Sequence, residues 1–295
     1  MQFRKGYAHY QENELDEAKG YFFKLIDIES SFYAPANYYY GHIAYQQGNY
    51  ETALKTLNKL SSHPKFKVVV PYYITHIYYN QEKHQELIDY AVPMLEAEGT
   101  KRVVEISRLV GESHYHLEEW AKALPYLELY QSQGAEKKRE DFYQLGYAYF
   151  RVADYDNAVK WFEKVMFKDD ALAQSAAYTL ASAYLKQGSK REARTAYEKA
   201  YTLDFDQKIS EDAMFNYAKL ALELAYDPYN YAVDAFVKYL EKYPDSYRKE
   251  EAYNFLINIY LSINNYQAAI QSIEKLELIE GRLQGVYQQL LYNLG

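Results

Sequence analysis

The stretch that decides the fold is Tyr143–Phe162, YQLGYAYFRVADYDNAVKWF. Leu145-Gly146 and Tyr149 come first, then a polar Ala153-Asp154 break, then Ala158 and Phe162. Offsets of three, four and seven lie on one face of an α-helix, so the stretch reads as two helices and a turn. A small residue on each helix allows close backbone approach, and the following aromatic fills the space beside it. Tyr38–Leu57, YYYGHIAYQQGNYETALKTL, repeats the arrangement: Gly41 and Ala53 are twelve residues apart, as are Gly146 and Ala158.

Worked outward, the frame recurs along the whole chain. Compact residues mark the first helix of each pair at Gly6, Gly41, Thr75, Gly111, Gly146, Ala181, Ala218 and Ile257, spaced by 34 to 39 residues. The second helix is marked by Ala18, Ala53, Leu87, Ala123, Ala158, Ala193, Ala232 and Ala269. Four residues later stand Phe22, Leu57, Ala91, Leu127, Phe162, Tyr197, Phe236 and Ile273. A third series follows at Leu25, Leu60, Met94, Tyr130, Val165, Ala200, Tyr239 and Leu276. Turn signals separate the helices at Gln47-Gly48-Asn49, Gln187-Gly188-Ser189 and Asn264-Asn265. Gly there suits a helix C-terminus and Asn or Asp the next N-cap. Links such as Ser62-His63-Pro64 and Tyr243-Pro244-Asp245-Ser246 divide the pairs. The third pair departs from the frame at Thr75, Leu87 and Pro93, and the seventh carries about two extra residues in its turn near Ala225–Tyr231.

The pattern resembles the tetratricopeptide repeat, a helix–turn–helix unit of 34 residues with these signposts, and the resemblance covers essentially the entire chain. It implies an all-α, right-handed α-solenoid of about eight units, approximately 1–33, 34–67, 68–103, 104–138, 139–173, 174–210, 211–249 and 250–287. A trailing helix follows over 283–295, and the whole is expected as one superhelix over 1–295. Leu283–Gly295 reads as the first helix of a ninth unit, so a fragment of a longer protein is expected, with an amphipathic cap as the alternative. The resemblance also implies a non-catalytic scaffold that binds a protein or peptide on a concave face lined by the first helices, and is compatible with a place in a larger complex.

Residues three before, one after and four after each small marker are expected to line that face. They are Phe3, Tyr7, Tyr10; Tyr38, His42, Tyr45; Tyr72, His76, Tyr79; Arg108, Glu112, Tyr115; and Tyr143, Tyr147, Phe150, with Arg151 and His116 beside them. In later pairs the same places hold Tyr178, Ser182, Leu185; Phe215, Lys219, Leu222; and Asn254, Asn258, Leu261. Tyr and Arg anchor protein interfaces more often than most residue types. The competing reading is that these rings only pack between neighbouring first helices.

Composition bounds the function. Of 295 residues 49% are apolar, enough for extensive burial, and the absence of Cys removes disulfides, thiolate nucleophiles and Cys-based zinc sites. The net charge of −8 is spread along the chain, against the basic track that sequence-independent nucleic-acid binding needs. The 37 Tyr against 2 Trp suit half-buried positions, which a repeat array offers in number. No run reaches the roughly 20 apolar residues of a membrane-spanning helix, and Met1–Tyr10 is polar and aromatic rather than leader-like.

No nucleophile elbow, HExxH pair or Gly-rich phosphate loop occurs, so no catalytic centre, metal or cofactor is expected. His42 and His76 lack a carboxylate in frame. His114 and His116, two apart, face different sides of a helix and are expected in the groove or at the surface. Glu118-Glu119, Asp169-Asp170 and Glu250-Glu251 fall at turns or helix starts, and Glu136–Arg139 reads as a solvated link.

The segment Ala218–Ser246, ending Tyr-Leu-x-x-Tyr-Pro-x-Ser, is similar to bacterial envelope tetratricopeptide proteins. That likeness implies a periplasmic or envelope role in assembly or coordination, with the cytoplasm as the alternative. The second functional reading is a regulatory or docking segment of a longer multidomain protein.

Overall fold

The computed structural model describes residues 1–96, 99–134, 137–224, 228–262, 264–274 and 282–294. Among these the chain is all helical: seventeen α-helices and no strand. By internal contacts it divides into two units, 1–141 and 142–295. The first unit holds α1 (Gln2–Gln11), α2 (Leu15–Phe23), α3 (Tyr33–Gln46), α4 (Tyr50–Asn58), α5 (Val70–Asn80), α6 (His84–Glu96), α7 (Val103–His116) and α8 (Trp120–Gln133). Helix α9 (Arg139–Arg151) contributes all but its first turn to the second unit. The second unit continues with α10 (Tyr155–Glu163), α11 (Ala171–Lys186), α12 (Lys190–Leu203), α13 (Gln207–Leu224), α14 (Pro228–Lys242), α15 (Lys249–Ser262), α16 (Tyr266–Ile273) and α17 (Arg282–Leu294).

The helices alternate as first and second members of hairpins, and α17 packs on α16 as the trailing helix. The hairpin turn has a single design. The residue seven after each marker is left-handed: Asn13, Gly48, Glu82, Glu118, Ala153, Gly188 and Asn264 have φ between 56° and 79°. The next residue's N–H bonds back to the carbonyl three after the marker. Asn49 donates to Ala44 O (2.8 Å), Asp154 to Tyr149 O (3.0 Å) and Ser189 to Tyr184 O (2.9 Å). This is the Schellman closure, which satisfies an orphan carbonyl and reverses the chain. In the seventh hairpin the equivalent position, within 225–227, lies outside the described residues, as do Leu276 and Gly295. Asp154 and Asn265 cap the following helix with their side chains, and Asp170 caps α11. Asn49 and Ser189 make no side-chain cap, contrary to expectation.

The reversal sets the register across the hairpin. Outside the seventh hairpin, the first-helix marker meets the residue sixteen further on. A methyl group built on Gly41 would lie 2.9 Å from Leu57 Cδ2, one on Gly111 2.9 Å from Leu127 Cδ2, and one on Gly146 3.2 Å from Phe162 Cδ1. In the third hairpin Thr75 takes the marker place and Ala91 the facing place, so a larger residue is matched to a smaller one. Both are fully buried, and the Thr75 hydroxyl donates to Pro71 O at 2.7 Å. Leu87 is equally buried, and α6 runs through Pro93, so this hairpin keeps the common geometry.

Hairpins bury their apolar sides on one another. In the first unit Ala44, Ala53, Leu57 and Leu60 pack with Val70, Ile74 and Ile77 of the next hairpin. In the second, Phe215, Phe236 and Tyr239 join Leu256, Ile257, Ile273 and Leu290. Polar ties repeat with the same period. Gln47 Nε2 donates to Asp16 (2.8 Å) and Gln187 Nε2 to Asp156 (2.6 Å). Lys59 pairs with Asp27 and Lys199 with Asp169. The buried Gln174 side chain donates to Ala200 O and Asp206 O and accepts from Asp206 N, pinning α11 to the α12–α13 link.

Ala153 holds a left-handed conformation that glycine adopts without steric cost. Ala153→Gly is therefore expected to stabilise the chain by about 1 kcal/mol, and Gly48→Ala to destabilise it by a similar amount. Urea unfolding followed by circular dichroism measures both.

Candidate protein-binding groove

In the first unit α3 packs on α5 and α5 on α7, so the first helices stand side by side. Their facing residues form a continuous aromatic surface. The Tyr10 hydroxyl meets His42 Nδ1 at 2.9 Å, and the Tyr38 ring stacks on His42 with 6.1 Å between centroids. His76 lies 4.4 Å from Tyr72, which also meets the Arg102 guanidinium at 4.2 Å from its ring centroid, a cation–π contact. Tyr45 leans on Tyr73, Tyr79 on His84, and Tyr115 on Trp120.

This surface is electrically quiet. Burial pushes the Tyr10, Tyr38, Tyr45 and Tyr79 hydroxyls above their ordinary range, with the Glu112 carboxylate adding to the effect at Tyr79. Burial also lowers His42, and burial together with Arg108 and Arg102 lowers His76 to about 4. Both imidazoles are neutral at pH 7. Arg108 is tied to Glu112 four residues on, at 2.6 Å. Glu112, expected to line the groove, is instead 4% exposed, because a carboxylate paired to Arg108 tolerates burial that an unpaired one would not.

Two rings central to this surface lie outside the expected frame. Tyr73 touches Tyr38, His42, Tyr45 and Tyr72, its hydroxyl lying 3.3 Å from that of Tyr38, and Tyr39 packs on Tyr7, Tyr10 and Phe22. Both stand two residues before a marker, on the flank that meets the preceding first helix. The doublets Tyr38-Tyr39 and Tyr72-Tyr73 are the available signal: one ring faces outward and its neighbour fills the seam. Phe3 packs against the N-terminal core cluster rather than lying on open surface. His114 is also buried, not a groove or surface residue, with Nδ1 2.7 Å from Glu119 and its ring over Tyr126, whereas His116 stacks on His84 at 4.6 Å.

In the second unit Tyr143 stacks on Tyr147, Tyr147 adjoins Phe150, and Arg151 lies over the Tyr147 ring and donates to its hydroxyl at 3.3 Å. Farther along, the Tyr178 hydroxyl donates to Asp212 at 2.6 Å, and Asp212 pairs with Arg248. Phe215, expected on the face, is 2% exposed and packs with Phe236, Tyr239 and Phe255. Lys219 lies over the Phe215 and Phe255 rings. Asn254 and Asn258 are exposed. Asp212 and Arg248 escape sequence reading, since neither occupies the marker frame.

Among the described residues one group offers three donor atoms near one another: His9, Glu12 and Glu14, within 4.8 Å. It sits at the α1–α2 turn, and His9 Nδ1 already bonds Glu14 at 2.5 Å. No helix among the described residues is long and apolar enough to cross a membrane.

Comparison with known proteins agrees with this architecture. Tetratricopeptide repeat family profiles match residues 142–166 and 174–207, and a second such profile matches 212–246. The C-terminal part of a TPR repeat-containing protein from Cytophaga hutchinsonii superposes with a TM-score of 0.54 at 14% identity, covering 87% of this chain and 98% of that one. A MamA structure from AMB-1 superposes at 0.50 with 17% identity over 59% of this chain and 93% of its own. At these identities the likeness concerns the fold. No curated protein matches the sequence. The fold is that of a tetratricopeptide-repeat α-solenoid, and the matched stretches are such repeats, which form scaffolds for protein partners. The fold is generally non-catalytic.

The histidines give a pH test. All seven lie before Leu117. Where the folded pKa lies below the unfolded value near 6.5, the unfolded state binds more protons, so stability is complete above that value and is lost as pH falls toward 4. His76 is expected to contribute roughly 1–2 kcal/mol after screening, and His42 acts in the same direction. Hydrogen exchange on the intact chain, corrected for intrinsic rates, should show protection in α3 and α5 falling between about pH 7 and pH 4.5 more than in α11.

Proposed function

We propose that the first-helix face of the first unit binds a segment of a partner protein, with Tyr10, Tyr38, His42, Tyr45, Tyr72, His76, Tyr79, Arg108 and Tyr115 as its lining. Tyr143, Tyr147, Phe150 and Arg151 offer a similar patch on the second unit. The observation that carries this reading is the arrangement of half-buried Tyr and His tips along adjacent first helices. Rings held by mutual packing and by the Tyr10–His42 and Tyr38–Tyr73 contacts are pre-ordered, so a partner gains contact area at little entropic cost. The Arg108–Glu112 pair and the Arg102 guanidinium over Tyr72 place charge at one end, where it selects rather than drives binding.

A place in bacterial envelope assembly or coordination is the more specific form of this proposal. Its support is the likeness of Ala218–Ser246 to envelope tetratricopeptide proteins. Within the fold that signature also closes a link: the Tyr239 hydroxyl meets Ser246 Oγ at 2.6 Å, and Ser246 donates to Glu211.

Replacing Tyr45, Tyr79 and Tyr115 together with Ala should reduce partner capture from native lysate by about tenfold or more, the loss of interface anchors. Helical content by circular dichroism should be unchanged. Full capture by the folded variant would remove the groove assignment.

A further inference from the structure

Away from the groove, the second helices α6 and α8 of the first unit both pack on α7 and leave a cleft of about 590 Å³ between them. That lies within the range of ligand pockets, about 300–1,000 Å³. Ile88, Val92 and Pro93 of α6 form one wall, Pro125 and Tyr126 of α8 the other, and His114 of α7 lies between them. Asp89 and Lys122 also line the cleft and are exposed, so it opens to solvent.

His114 is 5% exposed, and its ring is fixed twice. Nδ1 lies 2.7 Å from Glu119 Oε2, and the ring stacks on Tyr126. Lys122 and His114 hold the Glu119 carboxyl below its usual range, so it is ionised and can only accept. The proton of this bond therefore sits on Nδ1. Nε2 has no hydrogen-bond partner among the described residues, yet it is not sealed from solvent as the unpartnered buried atoms of the chain are. In the neutral ring it presents a lone pair to the cleft, since the bond made by one ring nitrogen fixes the role of the other.

The rest of the lining selects what that lone pair receives. Pro93 and Pro125 have no N–H, so these walls offer an incoming group apolar rings and no backbone donor. Lys122 is tied to Glu119 at 2.7 Å, and Asp89 accepts from Gln85 at 2.8 Å. A carboxylate would meet Asp89 and find the ammonium engaged, and a lysine or arginine would meet Lys122. A phenol needs a donor as well as an acceptor, and neither proline supplies one. Indole has a broad apolar ring system and a single N–H, and accepts nothing.

We propose that this cleft receives a tryptophan side chain carried by a partner protein. The indole N–H donates to His114 Nε2, and the rings lie against Pro93, Pro125 and the aliphatic wall. Tryptophan is among the residues that most often anchor interfaces by filling such a pocket. None of these residues lines the groove, so the assignment stands apart from the groove reading.

The test is an NMR titration of the intact chain at pH 8, reading the His114 ring nitrogens, with a blocked, uncharged Gly/Ser hexapeptide carrying one tryptophan. The Nε2 resonance should shift on binding, with a Kd on the order of 1 mM for a side chain of about ten heavy atoms. The same peptide with 1-methyltryptophan keeps the rings and loses the N–H, and should bind about tenfold more weakly. Peptides with Tyr, Lys or Asp in that place should also bind more weakly. His114→Phe, with helical content checked by circular dichroism, should remove the advantage of tryptophan over 1-methyltryptophan. If that variant does not fold, the 1-methyl comparison on the native chain decides alone. Equal binding of the 1-methyl peptide by the native chain overturns the proposal, as does a Tyr, Lys or Asp peptide bound as tightly as the tryptophan one. Free 3-methylindole shifting Nε2 when the tryptophan peptide does not would equally overturn it.

Discussion

The structure depends on one constraint, the left-handed residue that ends seven of the first helices among the described residues. With its Schellman hydrogen bond it turns the chain within about four residues and leaves no freedom in how the second helix returns. The marker on one helix then faces the residue sixteen later, and the pair must share a fixed volume. Gly faces Phe or Leu in four hairpins, Ala181 faces Tyr197, Ile257 faces Ile273, and Thr75 faces Ala91. Small is set against large in most of these pairs although the members change, as close packing of an interior requires.

From that register the aromatic first-helix face follows. Once second helices are fixed behind, first helices are brought side by side, and every third and fourth residue is carried outward together. Tyrosine suits this place because its ring can be buried between helices while its hydroxyl finds a polar neighbour, as Tyr10 does at His42 and Tyr38 at Tyr73. The same burial keeps His42 and His76 uncharged and obliges Arg108 to take Glu112 as partner. A groove of neutral tips with one compensated pair is thus a consequence of stacking, not an addition to it.

Much of this is legible in the sequence because its physics is local. Small residues at a constant offset, Ala markers and the Gly48 and Gly188 turns report backbone approach and reversal directly, and the hairpins can be placed from them. What stays hidden depends on neighbours. Glu82, Glu118 and Ala153 carry no preference for a left-handed backbone, and only the returning helix imposes it. Tyr39 and Tyr73 are indistinguishable from Tyr38 and Tyr72 until the adjacent first helix is in place. Phe215 follows the groove frame, yet its ring is drawn inward among Phe236, Tyr239 and Phe255. Glu112 and His114 are buried because Arg108 and Glu119 happen to reach them, a fact no single-helix periodicity contains.

The shared-volume register is tested most directly by moving the third hairpin's pair into the second, in a double-mutant cycle of Gly41→Thr and Leu57→Ala measured by urea unfolding. Each substitution alone should destabilise, one by crowding and the other by a cavity. Together they should recover at least about 1 kcal/mol of the summed loss. Effects that add within about 0.5 kcal/mol would show that Gly41 and Leu57 do not share one space, and would contradict the register on which the repeats and their groove are built.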